Sequence, residues 1–288
     1  MNAMSPGRVT ALTGAALIGF AANSLLTRGA LAAGRIDPAS FLAIRLASGA
    51  AMLWVLARSH TQRVSSNDPA NHWTAALALT GYAVAFTFAY TRIGAGIGAL
   101  ALFGAVQSTM IAAGLRAGER PGWHDVTGLG IATIGLLTLT MPGASAPPID
   151  GVVLMAIAGA CWGLYSLRGR RSTDPLVGTA HNFMRAVPVG LLVLAWQWPH
   201  AFVTPLGLLL AITSGAVTSG IGYAIWYAVL PALTAWRAAV VQLMTPVLTT
   251  VAAIVMLGET MSWRLVIAGG LIVGGVLLSV TAAPRRRA

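Results

Sequence analysis

The sequence lacks most of what a water-soluble surface requires. Of its 288 residues only 9% are charged and seven are acidic, while 57% are hydrophobic and mean hydropathy is +0.77. Soluble domains carry charge on about a quarter of their residues, so lipid must solvate much of this chain. The single cysteine, Cys161, excludes an internal disulfide, and its place in an apolar run marks it as a small core residue. There is no lysine, and all 18 basic residues are arginine. With the abundant Ala and Gly, this fits GC-rich bacterial coding. The arginines fall as short clusters between apolar runs and build no basic face. The net charge of +11 therefore reads as membrane orientation, and nucleic-acid binding is not expected.

Catalytic and metal-binding patterns are missing as well. There is no Asp-rich motif, no metal-spaced His cluster and no nearby Ser/His/Asp set, so a membrane-embedded enzyme lacks its acid–base or metal machinery. No metal or cofactor is expected. The acidic residues Asp37, Asp68, Glu119, Asp125, Asp150, Asp174 and Glu259 all fall in or beside loops, and the five His lie near span ends. Proton-coupled carriers usually keep such a group deep in the membrane. Facilitated transport, or coupling through a group at the membrane edge, is the expectation.

What is present is a series of apolar runs about 20 residues long, enough to cross the hydrocarbon core. Hydropathy places ten spans, running about 10–31, 38–57, 73–90, 93–116, 126–141, 151–167, 179–198, 206–230, 234–257 and 264–282. The first has signal-peptide features, with Arg8 before it and Ala30-Leu31-Ala32 at its end. Its length and its counterpart in the second half identify it as a retained helix. With the N-terminus inside, eleven arginines in or bordering the connections face the cytoplasm (Arg8, Arg58, Arg63, Arg116, Arg120, Arg168, Arg170, Arg171, Arg285, Arg286, Arg287). Four (Arg28, Arg35, Arg92, Arg264) face the other side, so both termini are expected in the cytoplasm of a bacterial inner membrane.

The only two Glu residues lie 140 positions apart in matching contexts: Gly118-Glu119 with Trp123, and Gly258-Glu259 with Trp263. The same offset pairs Arg45 with Arg185, Thr109 with Thr249, Gly130 with Gly270 and Gly135 with Gly275. Each half has five spans, an odd number, so the second half enters the membrane from the opposite side. The predicted fold is all-α integral membrane, ten transmembrane helices in two inverted five-helix repeats, residues 1–145 and 146–288, forming one integrated domain. Inverted repeats are found in many transporters, with substrate bound near the midplane between the halves.

The two Gly-Glu turns, the paired Arg45 and Arg185, the Gln242–Pro246 run Gln-Leu-Met-Thr-Pro and the small residues at Ile93–Gly96 together resemble the drug/metabolite transporter superfamily. The chain is similar to its ten-helix EamA-type members and, within them, to YddG-type amino-acid exporters. The resemblance implies export of small organic metabolites through a central cavity lined by helices one, three, four, six, eight and nine. Val106 stands where the second half has Pro246, so the first half lacks that kink.

Several residues could line such a cavity. Tyr82, Phe86 and Tyr90 repeat at four-residue spacing on helix three, and Tyr223, Trp226 and Tyr227 form a similar group on helix eight. The mid-span tyrosines read as cavity residues, because a phenol hydroxyl in hydrocarbon needs a partner; Tyr90 also suits an interfacial belt. Asn23, Gln107 and Gln242 are in-span amides that either bind a zwitterion or bond neighbouring helices. Trp162 and Tyr165, with Phe20 and Asn23, complete an aromatic and polar pocket suited to amino acids or flat cations. Arg45 and Arg185 could neutralise a carboxylate, although their symmetry favours a shared structural role. Glu119 and Glu259 are read as helix caps or partners of Arg116, Arg120 or Arg264, with gating secondary. The Gly94-x-x-x-Gly98 and Gly270-x-x-x-Gly274 patterns permit close helix packing inside the monomer or in a weak dimer. Nucleotide-sugar, sugar-phosphate and organic-cation transport are the alternatives within the fold.

Overall fold

The computed structural model describes residues 4–58, 72–93, 95–140, 148–172, 174–257 and 263–281. Among these the chain is all-helical apart from an isolated bridge, Ile36 to Val203. The spans are α1 (Pro6–Leu31), α2 (Pro38–Ala57), α3 (Trp73–Ala89), α4 (Ala95–Arg116), α5 (Trp123–Thr140), α6 (Ile149–Gly169), α7 (Pro175–Trp196) and α8 (Pro205–Ala232). They continue with α9, in two segments (Ala235–Gln242 and Met244–Leu257), and α10 (Trp263–Thr281). Glu259 and Gly94 lie outside the described residues.

Helix starts differ from the hydropathy reading because polar caps extend them. Helix α5 begins at Trp123, a turn before the apolar run, where the Asp125 carboxylate accepts the Gly122 N–H at 2.9 Å. Helix α7 begins at Pro175, with Asp174 accepting the Val177 N–H at 3.2 Å. Asp37 does the same for α2, accepting from Ser40 N, and its second oxygen accepts from Phe202 N, each at 2.9 Å. That one carboxylate both caps a helix and ties the α1–α2 loop to the α7–α8 loop of the other half.

Helix neighbours obey a two-fold rule. Helix α2 packs on α7, α5 on α10 and α4 on α9, while α3–α6 is matched by α8–α1 and α4–α6 by α9–α1. Among the described residues the most extensive contact is α5 against α10. A methyl added at Gly128 would sit 2.5 Å from the Gly275 carbonyl oxygen, and one at Gly135 would sit 2.8 Å from that of Ala268. The 140-residue offset exchanges these two contacts, and along the pair one chain rises as the other falls. An antiparallel contact that maps onto itself is what inverted repeats produce at their axis. Lipid removes the hydrophobic drive between helices, so such small-residue contacts carry the packing.

The glycine patterns separate on this basis. Gly98 faces α6, with Met155 close by, whereas a methyl at Gly270 or Gly274 would meet nothing. Close packing of α10 uses Gly275 instead, one position off the expected pattern. Gly118 takes φ 80° in the turn before Glu119, a conformation natural to glycine.

Tryptophans fall into two populations. Trp54, Trp73, Trp123, Trp196, Trp198 and Trp263 are exposed at or near helix ends, as an interfacial belt requires, while Trp162, Trp226 and Trp236 are buried. Two spans are irregular. In α8 the stretch Ser214–Ile221 is a π-helix. Helix α9 breaks at Leu243, where Pro246 has no N–H to offer the Gln242 carbonyl; α4, with Val106 at the matching position, runs unbroken.

Candidate functional site

The irregular stretches of α8 and α9 lie beside the interior cavity. Its lining is Phe20, Asn23 and Ser24 from α1, Tyr82 and Phe86 from α3, and Leu102 and Phe103 from α4. Trp162 of α6, Tyr223 of α8, and Gln242 and Thr245 of α9 complete it. The empty space amounts to about 380 Å³, its open mouth included. The helices involved are one, three, four, six, eight and nine.

Aromatic rings form most of its wall. Trp162 stands at the centre, with ring centroids 5.0 Å from Tyr82, 4.8 Å from Tyr223 and 5.3 Å from Phe20. Its Nε1 donates to Gln242 Oε1 at 2.7 Å, and the Gln242 amide nitrogen donates to Ala238 O at 3.0 Å. The Gln242 carbonyl is therefore fixed toward α6. On the opposite wall Asn23 Oδ1 accepts from Ser214 Oγ at 2.7 Å and Thr218 Oγ1 at 3.1 Å.

The predicted residues do not all converge. Asn23, Tyr82, Phe86, Trp162, Tyr223 and Gln242 line the cavity together. Tyr165 and Tyr227 are buried outside the lining, packed on one another at 5.2 Å, and Tyr227 lies over Gly169 with no room for a side chain there. Gln107 is buried on α4, also outside the lining. Arg45 and Arg185, equivalent in sequence, have unlike surroundings. Arg45 is 1% exposed, its Cζ 5.5 Å from the Phe86 ring centre, and it donates to Tyr223 and Ser219. Arg185, on α7, is half-buried and stacked over Trp73 at 4.9 Å.

Glu119 caps a helix, but one from the other half of the chain. Its carboxylate accepts the N–H groups of Ala235 and Trp236 at 3.0 and 3.2 Å, at the start of α9, and pairs with Arg170 at 2.8 Å. The partner expected among Arg116, Arg120 and Arg264 is thus Arg170. Burial would raise the Glu119 carboxyl, but the two N–H donors and the Arg170 guanidinium outweigh it and hold the group below its ordinary value. The α4–α5 turn is thereby fastened to α6 and α9 at one end of the bundle.

Sequence reasoning missed Ser214, Thr218 and Ser219. A signal was present for two of them: Ser214 and Thr218, hydroxyls four residues apart in an apolar span, share a face. Among the described residues no group of three His, Cys, Asp or Glu is placed to hold a metal.

Comparison with known proteins agrees with the fold. Residues 8–141 and 149–281 each match the EamA-like transporter family. The chain is 46% identical over 282 residues to the Pseudomonas aeruginosa protein PA1977, covering 98% of this chain and 97% of that one. It is 30% identical over 160 residues to the threonine/homoserine exporter RhtA of Escherichia coli, about half of each chain (53% and 52%). A solved crystal structure superposes with a TM-score of 0.77 over 94% of this chain and 99% of its own, at 22% identity, a likeness of fold alone. A two-fold helical scaffold, a cavity between its halves and a family match over both repeats converge: this multi-pass membrane protein belongs to the EamA-like transporter family of the drug/metabolite transporter superfamily.

Proposed function

We propose that the protein exports small organic metabolites, namely amino acids including aromatic ones, across the bacterial inner membrane by alternating access. Its halves, 1–145 and 146–288, act as one transmembrane unit with both termini in the cytoplasm. The observation that carries this reading is the cavity itself, where aromatic faces of Phe20, Tyr82 and Trp162 stand beside the amides of Asn23 and Gln242. Aromatic faces attract an ammonium group, and the apolar walls accept a side chain. The partial similarity to RhtA, itself a threonine/homoserine exporter, points the same way.

The arrangement supports a state closed at the Glu119–Arg170 end. Below the cavity, Tyr165, Tyr227 and Met110 are buried, and the Glu119 latch joins both halves. The arginine bias places that end in the cytoplasm, leaving Ser24, Phe86 and Phe103 toward the exit side. Among the described residues that line the cavity there is no carboxylate or imidazole, in keeping with facilitative transport down the substrate gradient.

A counterflow screen in proteoliposomes tests this reading with amino acids, organic cations and phosphorylated metabolites. Zwitterionic amino acids should exchange without an imposed proton gradient. Exchange of phosphates with zwitterions inert, or a strict proton requirement, would refute the substrate or the coupling respectively.

A further inference from the structure

Arg45 carries a charge that the fold does not answer. It sits inside α2, 1% exposed, with Nε donating to Ser219 Oγ at 3.1 Å and Nη2 to Tyr223 OH at 3.1 Å and Tyr82 OH at 3.5 Å. Its Nη1 is buried with no hydrogen-bond partner among the described residues. The described carboxylates all stand at or beside helix ends, and the ion pairs found there join Arg92 to Asp150 and Arg170 to Glu119. A buried cation without a counter-ion is heavily penalised, and inside a membrane protein it is kept where function needs it.

The repeat shows that the scaffold does not demand this burial. Arg185, the counterpart one repeat later, is half-buried and stacked on Trp73. Nor are the partners of Arg45 duplicated: the 140-residue offset sets Gly222 against Tyr82 and Ala83 against Tyr223. The cluster is therefore specific to one side of an otherwise symmetric bundle, the side that lines the cavity.

We propose that Tyr82 and Tyr223, backed by Arg45, form a carboxylate-recognition site in the cavity wall. Each phenol oxygen accepts from the guanidinium and keeps its own proton to donate. Accepting from a cation polarises the O–H and makes it a stronger donor. Both tyrosines line the cavity, so a substrate carboxylate accepts a hydrogen bond from each phenol while the guanidinium behind them supplies the missing opposite charge. Arg45 acts as a positioning residue and field source; the tyrosines make the contact. The site rests on the transport reading above and sharpens it to substrates bearing a carboxylate.

Four matched probes test it by calorimetry on the purified full-length protein: phenylalanine, phenylalaninamide, 3-phenylpropanoate and 3-phenylpropanamide. The wild type should bind each carboxylate at least about tenfold more tightly than its partner lacking one, the scale of a charge-assisted hydrogen bond. Arg45→Gln should bring that ratio close to one. The double variant Tyr82→Phe, Tyr223→Phe keeps both rings and should do the same, which decides the matter if the arginine variant fails to fold. A merely structural role would weaken all four probes together. That outcome, an unchanged ratio in the variants, or no carboxylate preference in the wild type, overturns the proposal. Retention of an Arg45-dependent preference for 3-phenylpropanoate without any amino-acid exchange would leave this site standing and remove the amino-acid reading.

Discussion

Trp162 and Gln242, 80 positions apart, join α6 to α9 through a 2.7 Å bond from the indole N–H to the amide oxygen. The bond lies next to the break in α9 and fixes the ring at the centre of the aromatic wall. Gln242→Leu keeps the volume but leaves the indole donor buried and unsatisfied, at a cost of about 1–3 kcal/mol. The thermal midpoint in detergent should fall and substrate flux with it. If both stayed at the wild-type values, the bond would have no role in shaping the cavity.

The contact between α5 and α10 is a second place to press. Gly128 and Gly275 each face backbone of the partner helix with no space for a Cβ. Gly275→Leu should prevent recovery of folded protein, because overpacking of about 1–3 kcal/mol falls on backbone that cannot yield. Gly270→Ala and Gly274→Ala, where a methyl meets nothing, should match the wild type on size-exclusion chromatography. The reverse pattern would mean that the axis contact is misplaced.

Glu119 should give a pH-dependent closure with a defined sign. Its carboxyl is held below its ordinary value of 4.5, so its contribution is complete above that value and is lost as pH falls through the lowered one. Glu119→Gln should weaken the closed end. A cysteine placed at Arg120, in a Cys161→Ser background, should then react faster with a membrane-impermeant thiol reagent. The ratio of labelling rates with and without the Glu119→Gln substitution should hold from about pH 8 to about pH 6, then approach one below about pH 4.5. A ratio that grew as the pH fell would contradict the assignment.

Asp37 is predicted to matter twice. Asp37→Ala removes the α2 cap and the acceptor for Phe202 N together. Loss of the cap alone costs about 0.5–2 kcal/mol. The Asp37 variant should therefore lose more stability than a cap alone accounts for, and a loss within about 0.5–2 kcal/mol would show that the inter-loop bond contributes nothing.

Much of the architecture was written in the sequence because lipid leaves the chain few choices. With no water to satisfy backbone groups, each apolar run of this length becomes a helix, and arginine, glutamate and tryptophan at one offset reveal the repeat. The polar first turns of α5 and α7 escaped the hydropathy pattern, since capping by Asp125 and Asp174 is a local hydrogen-bond effect that apolar length does not register. The site was only partly legible. Tyr82, Trp162 and Tyr223 are large polar aromatics inside spans, whereas Ser214 and Thr218 are small hydroxyl residues whose shared acceptor, Asn23, is set by the packing of α1 on α8.

The sequence by itself determined ten membrane helices, two repeats and their inversion, because burial in lipid acts on every residue of a span and sums to a signal readable along one dimension. Which side chains meet was decided only by tertiary structure. Arg45 and Arg185 are equivalent along the chain, yet one is buried against two phenols and the other lies over a surface tryptophan. Symmetry of the backbone does not extend to the side chains, since each environment is set by residues from other helices that the repeat leaves free to differ. That divergence is what gives a symmetric bundle a polarised cavity.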